Sequence, residues 1–145
     1  MTMDIDLVYE RITAAVNDAE IPGLTKNVVA TAFSPDAPTP PHFFLAEFVG
    51  DYDADFGEDM NLTITARLML SRAGEETGQQ EGRQLAGRGA NTIIAALEAV
   101  SNIGGHSALG GAASDIHLRR VTGPRLYDFG EAHFYGLEFT IFVLG

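Results

Sequence analysis

The chain has no cysteine. That removes disulfides, zinc thiolates and cysteine nucleophiles together, and it fits a reducing compartment. Positive charge is also scarce. Nine Lys and Arg face twenty Asp and Glu, a formal net charge of -11. Such a surface favours solubility and opposes docking on the outside of nucleic acid or on an anionic membrane. No apolar run approaches the ~20 residues that span a bilayer. The opening MTMDIDLVYE is acidic where a secretory leader is basic. A soluble protein, made and used without secretion, is expected. Internal repeats, interdomain linkers and low-complexity tails are missing too. What is present suits one domain over residues 1–145. With 46% hydrophobic and 20% charged residues, it can bury a core.

Ile5, Val8, Ile12, Ala15, Val16 and Ala19 recur at helical spacing and predict an amphipathic helix from about Met3 to Ala19. Asp4 and Asp6 sit at its start, where the helix dipole favours negative charge. Pro22 and Gly23 end it. Asn27 to Phe33 reads as a short strand. SPDAPTPP then holds four of the six prolines, so it is a stiff loop that cannot join a ladder. HFFLAEFV resumes as a strand, with Phe44, Ala46 and Phe48 expected on one face. In NLTITARLMLS, Leu62, Ile64, Ala66, Leu68 and Leu70 alternate with polar residues, the period of a strand with one wet face.

Ile93, Ile94, Leu97 and Val100 mark a second buried helix. Gly74, Gly78, Gly82, Gly87 and Gly89 weaken helix in the polar segment before it by ~1 kcal/mol each. GGHSALGGAA reads as a loop. Two strands close the chain, near DIHLRRVTG and AHFYGLEFTIFVL, with PRLYDFGE turning between them. His133, Tyr135, Leu137, Phe139, Ile141 and Val143 share one face of the last. The order predicts an α+β fold: a mostly antiparallel sheet flanked by two main helices.

The acidic stretch VGDYDADFGEDM carries Asp51, Asp53, Asp55, Glu58 and Asp59. With Asp51 as position one of a calcium loop, Asp53 and Asp55 fit the next ligand positions. Phe56 then stands where the turn needs glycine, and Leu62 where the clamp needs glutamate. A solvated hairpin loop is the plainer reading. GHSAL approaches an esterase elbow around Ser107, with His106 beside it, but Leu109 replaces the required glycine. Gly105 and Gly110 have phosphate-loop spacing, yet Gly111 replaces the lysine and Ala112 the hydroxyl residue. His42, His117 and His133 show no metal spacing and read as partly exposed strand residues. Arg83, Arg88, Arg119, Arg120 and Arg125 are too sparse for a DNA-binding stripe. They suit ion pairs within the chain or with a neighbour. The last strand is apolar on both faces, since Phe134, Phe142 and Leu144 oppose the face named above. Such a strand must be covered by a helix or by another subunit.

IPGL, SPDAPTPP, DYDADFGEDMNLTITARLMLSRAGEETGQ, NTIIAALEA and the closing DIHLRRVTGPRLYDFGEAHFYGLEFTIFVLG occur in the order in which the tail terminator proteins of long-tailed phages carry such segments. Together they resemble that family, especially members from phages of actinobacteria. The resemblance runs over nearly the whole chain and contains no catalytic signature. It implies a mixed sheet with flanking helices, no enzymatic activity, no cofactor and no metal. It further implies a homo-hexameric ring, seated on the last ring of the major tail tube protein and facing head-closure or other neck proteins. Genomic DNA would cross the ring without sequence-specific binding. The place would be the tail neck of the virion, assembled in the host bacterial cytoplasm. Family members often carry a basic residue where this chain has FGED, so Glu58 and Asp59 make its loop more acidic than the pattern. Expected contact residues are Pro35, Pro38 and Pro40 of the Pro-rich loop, the acidic residues from Asp51 to Asp59, Arg83, Arg88 and Phe142. The rival readings are another neck protein (head-closure or tail-completion), a small serine hydrolase using Ser107 and His106, and a calcium module using Asp51, Asp53 and Asp55.

Overall fold

The computed structural model describes residues 4–22, 26–52, 60–72, 76–87, 89, 91–101 and 107–145. The fold is α+β, one mixed and mostly antiparallel five-stranded sheet with its helices on a single face. Helix α1 (Ile5–Asp18) starts where Asp4 Oδ1 accepts a hydrogen bond from Leu7 N at 3.2 Å. That cap satisfies one of the free N–H groups of the first turn. The periodic residues Val8, Ile12 and Val16 are fully buried, so the helix is held by its apolar stripe.

The expected strand at Asn27–Phe33 shrinks to β1 (Val29–Thr31), the one parallel neighbour of β2 (His42–Tyr52). Val29 N donates to Pro41 O at 3.1 Å. The outward groups of Ala30 turn to α1 instead: Ala30 N donates to Asn17 Oδ1 at 2.8 Å, and Asn17 Nδ2 donates to Ala30 O at 3.1 Å. A side-chain amide thus stands in for a sixth strand.

β3 (Met60–Arg72) pairs with β2 on one side and β5 (Ala132–Leu144) on the other. Its alternation is as the sequence predicts. Leu62, Ile64, Ala66 and Leu68 are buried under the helices, while Asn61, Thr63, Thr65 and Arg67 lie half-buried on the open face. On β5, Leu137, Phe139, Ile141 and Val143 join the same core. Each fully buried aliphatic or aromatic side chain contributes ~1.5–3 kcal/mol relative to exposure, so this face is where stability is concentrated.

β2 departs from expectation. A bulge at Ala46 shifts the register between Leu45 and Glu47. Phe44 pairs with Arg67 on the open face, but Phe48 pairs with Ile64 on the helix face. Phe44 and Phe48 therefore do not share a face. An extra residue turns the rest of the strand over, which periodicity cannot register. Phe48 meets the Tyr9 ring of α1 edge-on, centroids 6.1 Å apart.

Among the described residues three α-helices occur where two main ones are expected. α2 (Glu76–Leu85) forms in the glycine-weakened segment. Gly82 explains part of that composition: a Cβ there would stand 2.8 Å from Leu70 Cδ1, so its absence lets the helix settle on the sheet. α3 (Ile93–Glu98) is capped by Thr92, whose Oγ1 accepts from Ala95 N at 3.2 Å. β4 (Asp115–Phe129) is longer than expected. PRLYDF belongs to the strand, and only Gly130 and Glu131 turn the chain into β5. Among the described residues, no helix is long and apolar enough to cross a membrane.

Candidate interaction surface

The sheet order β1-β2-β3-β5-β4 leaves one broad face without helices. At one end the chain covers this face itself. Phe44, Met69 and Phe134 form a second buried cluster, with Ala46, Tyr127, Phe129 and Ala132 packed against it. Phe129 of β4 reaches Phe44 of β2, so the hairpin tip bends back across the strands between them. Gly136 makes room, since a Cβ there would lie 2.6 Å from Met69 Cε and 3.0 Å from the Tyr127 ring. Arg67 ties the cluster to the open strip. Its Nε is 3.4 Å from Glu138 Oε2, and its guanidinium lies 5.1 Å from the Tyr127 ring centre. Burial, then the Glu138 charge, raise the Tyr127 phenol above its ordinary range; Arg125 and Arg67 oppose this.

At the other end the face is open. Phe142 lies half-buried between Thr63 of β3 and His117 of β4. The Arg119 guanidinium sits 4.0 Å from its ring centre, and the His117 ring 5.2 Å. A cation over an aromatic face is attracted by the ring quadrupole. Helices cover one apolar face of the last strand, and the hairpin tip covers one end of the other; at its far end Phe142 is flanked by Arg119 and His117 and stays partly exposed. Val49, Glu47 and Asp51 continue the strip onto β2.

The expected contact residues that are described lie on separate elements. Pro38 is buried within the chain, while Pro35 and Pro40 are half-buried. Of that loop, only part is available to a partner. Asp51 is exposed at the end of β2. Asp53, Asp55, Glu58, Asp59 and Arg88 lie outside the described residues. Arg83 is exposed in the last turn of α2, where a cation complements the helix dipole.

The chemistry-bearing residues take other places. Ser107 is exposed and is followed by an isolated bridge and a single 3-10 turn (Leu109–Gly111), not by the helix an elbow requires. His106 lies outside the described residues. His42 is buried, contrary to the expected partial exposure, and its Nε2 is 2.9 Å from Thr31 Oγ1. Burial lowers its pKa, and Lys26 adds to this. His133 pairs with Asp128 across the hairpin end. Among the described residues, no three acidic or imidazole side chains gather as a metal site. Arg119, Arg120 and Arg125 all stand exposed on β4. Sequence reasoning named these arginines but did not place them on one edge. The signal was their common strand, hidden by reading PRLYDFGE as a turn.

No protein-family model matches the chain, and no curated protein matches it.

Proposed function

We propose that this protein caps the head-proximal end of a phage tail tube as a homo-oligomeric ring, stops tube growth and offers the joining surface to the neck proteins. The observation that carries this reading is the one-sided sheet. Helices cover one face, while the other presents an open strip from Val49 through Thr63 to Phe142 and Arg119. The order of segments resembling tail terminators supports it further.

A tube grows because each ring presents the same head-to-tail surface to the next, and such heterologous contacts do not close by themselves. A terminator matches that surface on one side and presents a different one on the other. A one-sided domain supplies two unlike surfaces from one chain. The net charge of -11 keeps free rings soluble and discourages self-stacking. It also lets DNA pass without the counterion release that makes a basic lumen adhesive.

Deleting the gene from the phage tests the reading. The expected result is filled heads separate from tails, with tubes of irregular or excess length. Purified protein should restore joining without nucleotide or metal. Joined tails of normal length in its absence would overturn the proposal.

A further inference from the structure

The two edges of the sheet carry opposite charge. β1 pairs with β2 only over His42–Phe44, so among the described residues no strand lies on the side of β2 away from β3 from Leu45 to Tyr52. Glu47 and Asp51 stand exposed there, on the open face. The other edge is β4; Asp115 and Asp128 (paired with His133) lie near its ends, and Arg119, Arg120 and Arg125 are exposed between them. These are three of only nine Lys and Arg in the chain.

An independent observation concerns apolar surface. Five large hydrophobic side chains are exposed among the described residues, and three of them stand on these edges: Phe48 (47%) and Val49 (60%) on the bare length of β2, and Leu126 (54%) on β4. Val29 (44%) is on β1 and Phe33 (69%) follows it. Scattered exposed hydrophobic residues need no explanation, but those that add apolar surface to a strand with no neighbour on its outer side suit a contact there.

We propose that these edges are the two halves of one contact between copies of this chain. The β4 edge of one copy meets the Leu45–Tyr52 edge of the next. Arg120 and Arg125 then face Glu47 and Asp51 on the shared open face, as opposite charges on adjacent strands do. Bulges at Leu118–Arg120 and Thr122–Arg125 interrupt β4, and Pro124 has no N–H to give. A long ladder is therefore not the source of affinity; charge pairs and the covering of Val49 and Leu126 are. Like edges repel, because β4 against β4 sets arginine on arginine. The contact is heterologous, so each added copy leaves one edge of each kind free until the series closes. The proposal deepens the ring reading and rests on it only for that closure.

Charge exchange tests it. One variant carries Arg120→Glu and Arg125→Glu, the other Glu47→Arg and Asp51→Arg, with circular dichroism checking the fold of each. Light scattering should give the native protein a multiple of its 15.5 kDa chain mass and each variant the single-chain mass. An equal mixture should recover the native mass, since each variant's reversed edge matches the other's. A native monomer at every concentration, or a mixture that stays monomeric, would overturn the proposal. A second measurement uses the absence of native cysteine. Glu47→Cys and Arg120→Cys proteins should be joined by a short bis-maleimide only when mixed. Equal cross-linking of Arg120→Cys alone would show a symmetric contact and refute this one. The two readings fail separately. A monomer that restores head–tail joining sinks the contact alone, and normal tails without the gene sink only the terminator.

Discussion

Phe129 and Phe44 meet edge-to-face with ring centroids 6.0 Å apart, although β3 and β5 lie between their strands. The tip of the closing hairpin is therefore a lid on the sheet as well as its margin. Phe44 is fully buried beneath it. Phe44→Ala is expected to destabilise the fold by about 3–5 kcal/mol, the range for a buried aromatic truncated in a core. Phe129→Ala should cost less, because Phe129 keeps partial exposure. Urea midpoints at unchanged slope measure both. A Phe44→Ala loss under about 1 kcal/mol would mean that the tip does not rest there.

Phe142→Asp separates fold from assembly. The ring is half-buried, so its loss should cost about 1–2 kcal/mol, less than full burial of such a side chain contributes. The variant should stay folded and lose assembly or head–tail joining. Unfolding of the isolated chain would make Phe142 purely a core residue, and unchanged joining would remove it from the contact surface.

His42 gives the fold an acid sensitivity of known sign. Its folded pKa lies below the ordinary 6.5 because burial penalises the imidazolium. Below pH 6.5 the unfolded chain takes up a proton that the folded chain does not, so stability falls with pH until the lower folded pKa is reached. Urea midpoints should drop as pH falls through and below about 6.5, and His42→Gln should flatten that part of the profile. A profile identical in the variant would assign the slope to other groups.

The acidic stretch that begins at Asp51 should bind calcium no more tightly than about millimolar, because Phe56 and Leu62 stand in place of turn glycine and clamp glutamate. Calorimetric titration decides this. A micromolar site would restore the calcium reading.

Periodicity made the core legible. The spacing of Val8, Ile12 and Val16 and the alternation of Leu62, Ile64 and Ala66 are direct imprints of one buried face. The bulges were not legible. Ala46 and Arg119 add length without changing composition, and each shifts the side-chain direction after it. α2 was discounted because intrinsic propensity ignores tertiary contact, and Gly82 is present for close approach to Leu70. The proposed contact surface was least legible. It depends on Arg120 and Arg125 lying on one edge and Glu47 and Asp51 on the opposite one, far apart in the chain.

The Asn17 amide has a consequence for how many neighbours the molecule can hold. A sheet with three open margins could branch. At β1 the outward N–H and C=O of Ala30 are already taken by Asn17, so an arriving strand finds no free pair to read. Among the described residues, the bare length of β2 and β4 are the margins left open. Under the proposed contact, one amide on a helix thereby holds each copy to two neighbours, the number a closed series needs and a branched aggregate exceeds.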